Sequence, residues 1–246
     1  MRTAGVDLAA EALRTAVAVI EWHDGGAHVA ELRLGVSDDD ILATIPTADV
    51  TGIDCPFGWP DAFVDLVVAH RDGSLVAPAS SARAWRRPLT MRATDLHVHA
   101  TTGLTPLSVS ADRIAHAALR LTAILATLES RGVPCARDGS ARVVEAYPAA
   151  ALQTWGLPFR GYKRGAGTTA RAGLVDRLQE RAPWLELGAF EQTCCASDDA
   201  LDAVVCALIA RAAAVGHTVP APDAAQARRE GWIHLPTAPL ATLATP

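Results

Sequence analysis

At 246 residues the chain is long enough for one large domain or two small ones, and a composition 50% apolar but only 5% aromatic supplies a core rich in alanine, valine and leucine. No apolar run reaches the roughly 20 residues of a membrane span, and Asp7 and Glu11 interrupt the opening segment where a signal peptide needs an apolar stretch. Five cysteines without CxxC spacing predict a reducing cytoplasm, and a net charge of −5 weighs against a strong non-specific nucleic-acid binder.

In chain order, residues 3–9 (TAGVDLA) and 15–22 (TAVAVIEW) read as buried strands. Residues 27–34 (AHVAELRL) alternate apolar and polar as a half-exposed strand does, with Asp24-Gly25-Gly26 as the hairpin turn. Ser37 caps a short helix through Ile45, and its three following aspartates suit the positive end of the dipole. A fourth strand, 49–55 (DVTGIDC), stops at Pro56, and Pro60 opens a helix to residue 71. The stretch from about 76 to 108, rich in Pro, Ser, Arg and Thr, reads as an irregular insertion. Residues 110–131 make an amphipathic helix capped by Ser110 and closed by Gly132, and 141–147 (ARVVEAY) a short strand. Helices are expected at 148–154, 168–182 and 197–215, before a Pro/Ala-rich tail from about 216 anchored by EGWIHLP. No linker stands out, so a single domain over 1–246 is expected.

Acidic residues sit where these buried segments end: Asp7, Asp54, Glu145, and the Asp199/Asp202 pair. An ionised carboxylate buried alone is costly, and several converging repel one another unless a cation lies between them. Strand, hairpin, helix, strand and late acidic helix, in that order, match the ribonuclease H-like fold. That fold is α/β, with a mixed five-stranded sheet, strands one to three antiparallel, four and five parallel to the first, and helices on both faces. Strands one and four then lie side by side, making Asp7 and Asp54 neighbours, and a three-residue spacing puts Asp199 and Asp202 on one helical face. Such hard oxygen ligands suit Mg²⁺ or Mn²⁺, and two ions about 4 Å apart would use all of them. Singly, Asp7 reads as a turn residue, Asp54 as a cap before Pro56 and Asp198 as a helix cap. Asp202, inside an apolar helix face, cannot be a cap.

The segments GVDLA, GIDCPFGWP, RATD, VVEAYPAA, GYK, SDDALDAVVCALIA and EGWIHLP, in this order, resemble a family of predicted ribonuclease H-like nucleases known as domain of unknown function 429. DDALDA also resembles the late acidic helix of Holliday-junction resolvases of the RuvC type. The resemblance spans nearly the whole chain. It implies a metal-dependent nuclease with Asp7, Asp54, Asp199 and Asp202 as ligands, and Glu145, from EAYP, as a further member. Where the resolvases often carry Glu on the second acidic strand, this chain has the shorter Asp54.

On this reading the protein hydrolyses nucleic-acid phosphodiesters, with Arg92 and Lys163, the chain's one lysine, neutralising the phosphate. Arg83, Arg86 and Arg87 around Trp85 add a pattern suited to single-stranded nucleic acid. His97 and His99 lack further zinc ligands at suitable spacing, GYKRGAGTT lacks the P-loop spacing, and Cys55 reads as strand filler. The tryptophans at 59, 155, 184 and 232, each near Pro or Gly, read as anchors of loops to the core. Two alternatives stand beside the nuclease: a non-catalytic binding module on the same fold, and a Mg-nucleotide-binding protein of the ATPase or kinase kind. Oligomeric state is not legible.

Overall fold

A computed structural model of the chain describes residues 1–78, 83–163 and 167–244. Residues 79–82 of the expected insertion and 164–166 of GYKRGAGTT lie outside the described residues.

β1 (Arg2–Asp7), β2 (Ala16–His23) and β3 (Gly26–Leu34) form an antiparallel meander. Gly25, at φ 75°, supplies the left-handed turn between β2 and β3 that the Asp-Gly-Gly sequence predicts. α1 (Asp38–Thr44) starts at Ser37, whose hydroxyl accepts from the Asp40 amide while the Asp40 carboxylate accepts from the Ser37 amide. β4 (Val50–Asp54) then pairs parallel with β1 and brings Asp7 opposite Asp54. The chain continues through α2 (Asp61–Arg71), α3 (Arg83–Thr90), α4 (Ala93–Thr102), α5 (Ile114–Ser130), β5 (Val143–Glu145) and α6 (Pro148–Thr154). α7 (Thr168–Arg181), β6 (Leu185–Glu186), α8 (Glu191–Ala196), α9 (Asp198–Ala214) and α10 (Ala224–Glu230) complete it.

The sheet runs β5-β4-β1-β2-β3-β6, with β5 parallel to β4 as expected. Among the described residues it has six strands rather than five. β6 is two residues long and joins β3 in parallel at the far edge, too short to leave a periodic signal. One face packs Val6, Val17, Val19 and Ile53 against Ile41 of α1 and Leu121 and Ile124 of α5. The other packs Ala16, Ala18 and Ile20 with α9, Leu152 of α6, and Leu174 and Leu178 of α7. Among the described residues no helix is long and apolar enough to cross a membrane.

The expected irregular insertion instead contains α3 and α4; Pro88 inside α3 and the Arg/Thr-rich composition had hidden both. α5 begins at Ile114, and Ser110 does not cap it: its hydroxyl donates to the Leu89 carbonyl and ties down the preceding loop. Asp198 is not the cap of α9 either, because Ser197 is, accepting from the Ala200 amide at 3.2 Å. The supposed tail holds α10 and the buried Trp232, Ile233 and Leu235.

The feature that positions the site is the contact of α9 with β1 and β4. Every residue from Ala200 to Ala212 is buried. A Cβ on Gly5 would lie 2.0 Å from the Ala203 carbonyl oxygen, and one on Gly52 2.3 Å from that of Cys206. Only glycine lets the helix backbone come this close. Side chains two apart on a strand share a face, so Asp7 follows Gly5, and Asp54 follows Gly52, towards the helix that carries Asp202.

Candidate metal centre

Asp7 and Asp54 end adjacent parallel strands, and Asp202 lies in the first turns of the helix pressed across them. One carboxylate oxygen from each lies within 4.8 Å of the other two. Asp202 is buried, whereas Asp7 and Asp54 are half-buried at the floor of a cleft of about 940 Å³.

The cluster already contains one positive charge. Lys163 Nζ donates to Asp202 Oδ2 at 2.7 Å, and the Tyr162 hydroxyl donates to Asp202 Oδ1 at 2.8 Å. Arg171 steadies this pair by donating to the Tyr162 carbonyl and to the carbonyls of Cys195 and Ala196, at the end of α8. Burial pushes the Asp7 carboxyl well above the usual range, and repulsion from Asp202 and Asp54 adds to it. Burial likewise lifts Asp54 to about 7, with Lys163 pulling it back and Asp202 and Glu145 adding to the rise. Asp202 is raised by burial, less what Lys163 and Tyr162 recover by pairing with its charged form. Burial works against the charge on Lys163, but Asp202 and Asp54 outweigh it and hold the ammonium protonated. This is a site with excess negative charge.

The remaining residues named from sequence lie apart from this trio. Asp199 turns to Arg14, which donates from Nε and Nη2 to its two oxygens, both at 2.9 Å. Asp199 and Asp202 share a helical side, but a salt bridge holds the first at the rim. Glu145 is buried and bound by two nitrogens of Arg92, at 2.7 and 2.9 Å, and it also accepts from the Phe57 amide at 3.0 Å. Arg92 in turn grips Asp95 through Nε and Nη2 and donates to the Glu230 carbonyl. It is 1% exposed. Arg92 is therefore a buried tie between four chain segments and has no free donor face for a phosphate, and Glu145 is its counter-ion. Lys163, half-exposed along its side chain, remains within reach of the cleft.

The HxH pair does not form a site. The His97 ring lies tilted against that of Trp232 and His99 Nδ1 meets Thr105 Oγ1, and among the described residues neither joins a ligand cluster. Cys55 is buried and its thiol is pushed far up by burial, so it is no nucleophile. Arg83, Arg86 and Arg87 are exposed on α3 and do not line the cleft. Sequence reasoning missed Arg14 and Tyr162. Arg14 carries no local signal of its distant partner, and Tyr162, beside Lys163 in GYK, lies in a segment whose sequence shows no periodicity.

No curated protein and no solved structure matches the chain. A family model described as a protein of unknown function (DUF429) matches residues 5–227, which include Asp7, Asp54, Lys163 and Asp202. That span is most of the molecule, and the chain belongs to the DUF429 family.

Proposed function

We propose that the chain is a divalent-metal-dependent phosphodiesterase acting on nucleic acid, on a ribonuclease H-like arrangement of β1–β5 and α9. The observation that carries this reading is the convergence of Asp7, Asp54 and Asp202 in an open cleft. Their donor set is all oxygen, which fits Mg²⁺ or Mn²⁺. With all three ionised against the one ammonium of Lys163, two negative charges remain, the complement of a divalent cation. When bound, such an ion supplies Lewis-acid stabilisation of phosphoryl oxygens and a water of lowered pKa.

The side chains around the trio have separate tasks. Tyr162 fixes the rotation of Asp202 through its hydroxyl. Lys163 balances the acids in the absence of other cations and, being half-exposed, can turn to a substrate phosphate. Arg92 and Glu145 hold β5 and the Phe57 loop beside Asp54 without meeting substrate. Two ions would require Asp199, which Arg14 occupies; the reading carried forward is one ion on three carboxylates.

The test is hydrolysis of a panel of DNA and RNA structures with Mg²⁺ or Mn²⁺ titrated in. Asp7→Asn, Asp54→Asn and Asp202→Asn should each lower the rate roughly a hundredfold, equivalent to about 2.7 kcal/mol of transition-state stabilisation. Activity unchanged in these variants rejects the assignment. One observation favours a second reading, a non-catalytic module: Lys163 already provides a cation within the cluster. That reading predicts neither turnover nor a Mn²⁺-dependent rise in melting temperature.

A further inference from the structure

Among the described residues four arginines line the cleft above the acidic trio, and they divide into two pairs. Arg14 and Arg92 are committed to carboxylates. Arg113, just before α5, and Arg160, three residues before Lys163, are exposed and make no side-chain ion pair or hydrogen bond among the described residues. Arg160 is held with its guanidinium carbon 5.1 Å from the centre of the Phe159 ring. Two cationic groups in a cleft with an acidic floor, paired with none of its carboxylates, are placed for an anion that enters from outside.

The same walls are apolar to a degree that a phosphate backbone alone does not use. Leu107 is 59% exposed, and Ile114, Tyr147 and Phe159 line the cleft beside it, all only partly buried. The Tyr147 hydroxyl makes no hydrogen bond among the described residues, and the nearby charge of Asp54 adds to burial in raising its pKa.

We infer that the cleft takes an unpaired nucleic-acid strand, with Arg113 and Arg160 on its phosphates and bases turned against Tyr147, Phe159 and Leu107. The inference rests on the phosphodiesterase reading and adds the form of substrate to it. A duplex keeps its base faces stacked inside and offers a protein phosphates and groove edges, which leaves this apolar wall without a partner. A single strand presents base faces, and aromatic rings receive them with little regard to sequence. The volume agrees. About 940 Å³ lies near the top of the range of roughly 300–1,000 Å³ typical of small-molecule pockets, enough for a few nucleotides.

The experiment is fluorescence anisotropy with labelled oligo-dT, oligo-U and a duplex of the same length, about 12 nucleotides, in Mn²⁺, with cleavage of the same molecules followed in parallel. Both single strands should bind at least about tenfold tighter than the duplex; a preference between DNA and RNA decides which sugar the cleft accepts. The double variant Arg113→Ala/Arg160→Ala should lose about tenfold in single-strand affinity and lower the salt slope by about 1.4, the value for two phosphate contacts. Arg113→Lys/Arg160→Lys should restore the slope. Tyr147→Ala should weaken binding of the single strand but not of an abasic strand. A retained Mn²⁺-induced melting shift in each variant certifies an intact acid cluster. Duplex bound and cut as well as single strand, or an unchanged salt slope in the double alanine variant, overturns the inference while leaving the phosphodiesterase in place. If no nucleic acid is bound or cut, both fall.

Discussion

At the scale of single residues the governing quantity is charge in a confined space. Lys163 is the chain's one lysine, and its ammonium serves a cluster of three carboxylates. Replacing it by methionine removes an internal competitor for the cation position. The expected result is Mn²⁺ affinity raised by about tenfold at pH 8, read by calorimetric titration, with a lower melting temperature in metal-free buffer. Unchanged affinity would show that the ammonium and the ion do not share a place. Asp54 gives a second prediction, with its sign fixed by its raised pKa. Folded, its carboxyl titrates near 7; unfolded, near the ordinary 3.8. The folded state therefore holds the proton more tightly, and this group costs stability progressively as pH rises from about 4 to 7, with the full penalty above that. Asp54→Asn should stabilise the metal-free protein by on the order of 1 kcal/mol at pH 8 and by nothing near pH 4, while abolishing the Mn²⁺ shift. Thermal melts across that range decide it. The trio was readable in the sequence because strand order makes Asp7 and Asp54 adjacent. The removal of Asp199 was not, since Arg14 lies 185 positions away and no local pattern announces that pair.

At the scale of elements, two contacts set the site. The first is α9 against Gly5 and Gly52. Alanine at Gly52 would place a methyl against the Cys206 carbonyl, with backbone and no flexible side chain to yield. Gly52→Ala should destabilise the fold by roughly 2–3 kcal/mol, read from the denaturant midpoint, and should weaken Mn²⁺ binding by moving Asp202 away. A variant as stable and as metal-responsive as the parent would mean the helix shifts freely. The second contact is the Arg92 tie. Arg92→Met leaves Glu145 and Asp95 buried without a counter-charge, at a cost of about 3–5 kcal/mol, and Arg92→Lys should recover little because one ammonium cannot span both carboxylates. Adding Glu145→Gln to Arg92→Met should return part of the loss in a double-mutant cycle. The hairpin and the α1 cap were legible here from Asp-Gly-Gly and from Ser37, whereas the caps read at Ser110 and Asp198 were not the ones used. α3 and α4 were not, because proline and threonine mask the helical period, and RATD gains meaning only when Arg92 meets β5.

At the scale of the molecule, the sheet order could be read from the succession of elements, whereas the closing segment could not. Its composition reads as a tail, yet the Glu230 carboxylate accepts from the amides of Asp61 and Ala93, and Ile233 bridges to Glu145. Deleting residues beyond 215 should therefore lower the melting temperature and weaken Mn²⁺ binding even though no acid of the trio is removed; a truncated chain with parental metal response would show the segment to be dispensable. The positions of the site's members along the chain also bear on synthesis. Asp7 and Asp54 come together as soon as β1 and β4 pair, but Asp202 reaches them only once α9 has been made, and the Arg92 tie waits for Glu230. A nascent chain that has not yet reached α9, surrounded by the ribosome's RNA and magnesium, thus carries no completed cluster. Whatever chemistry the cleft performs begins only once α9 has been made and has packed across β1 and β4.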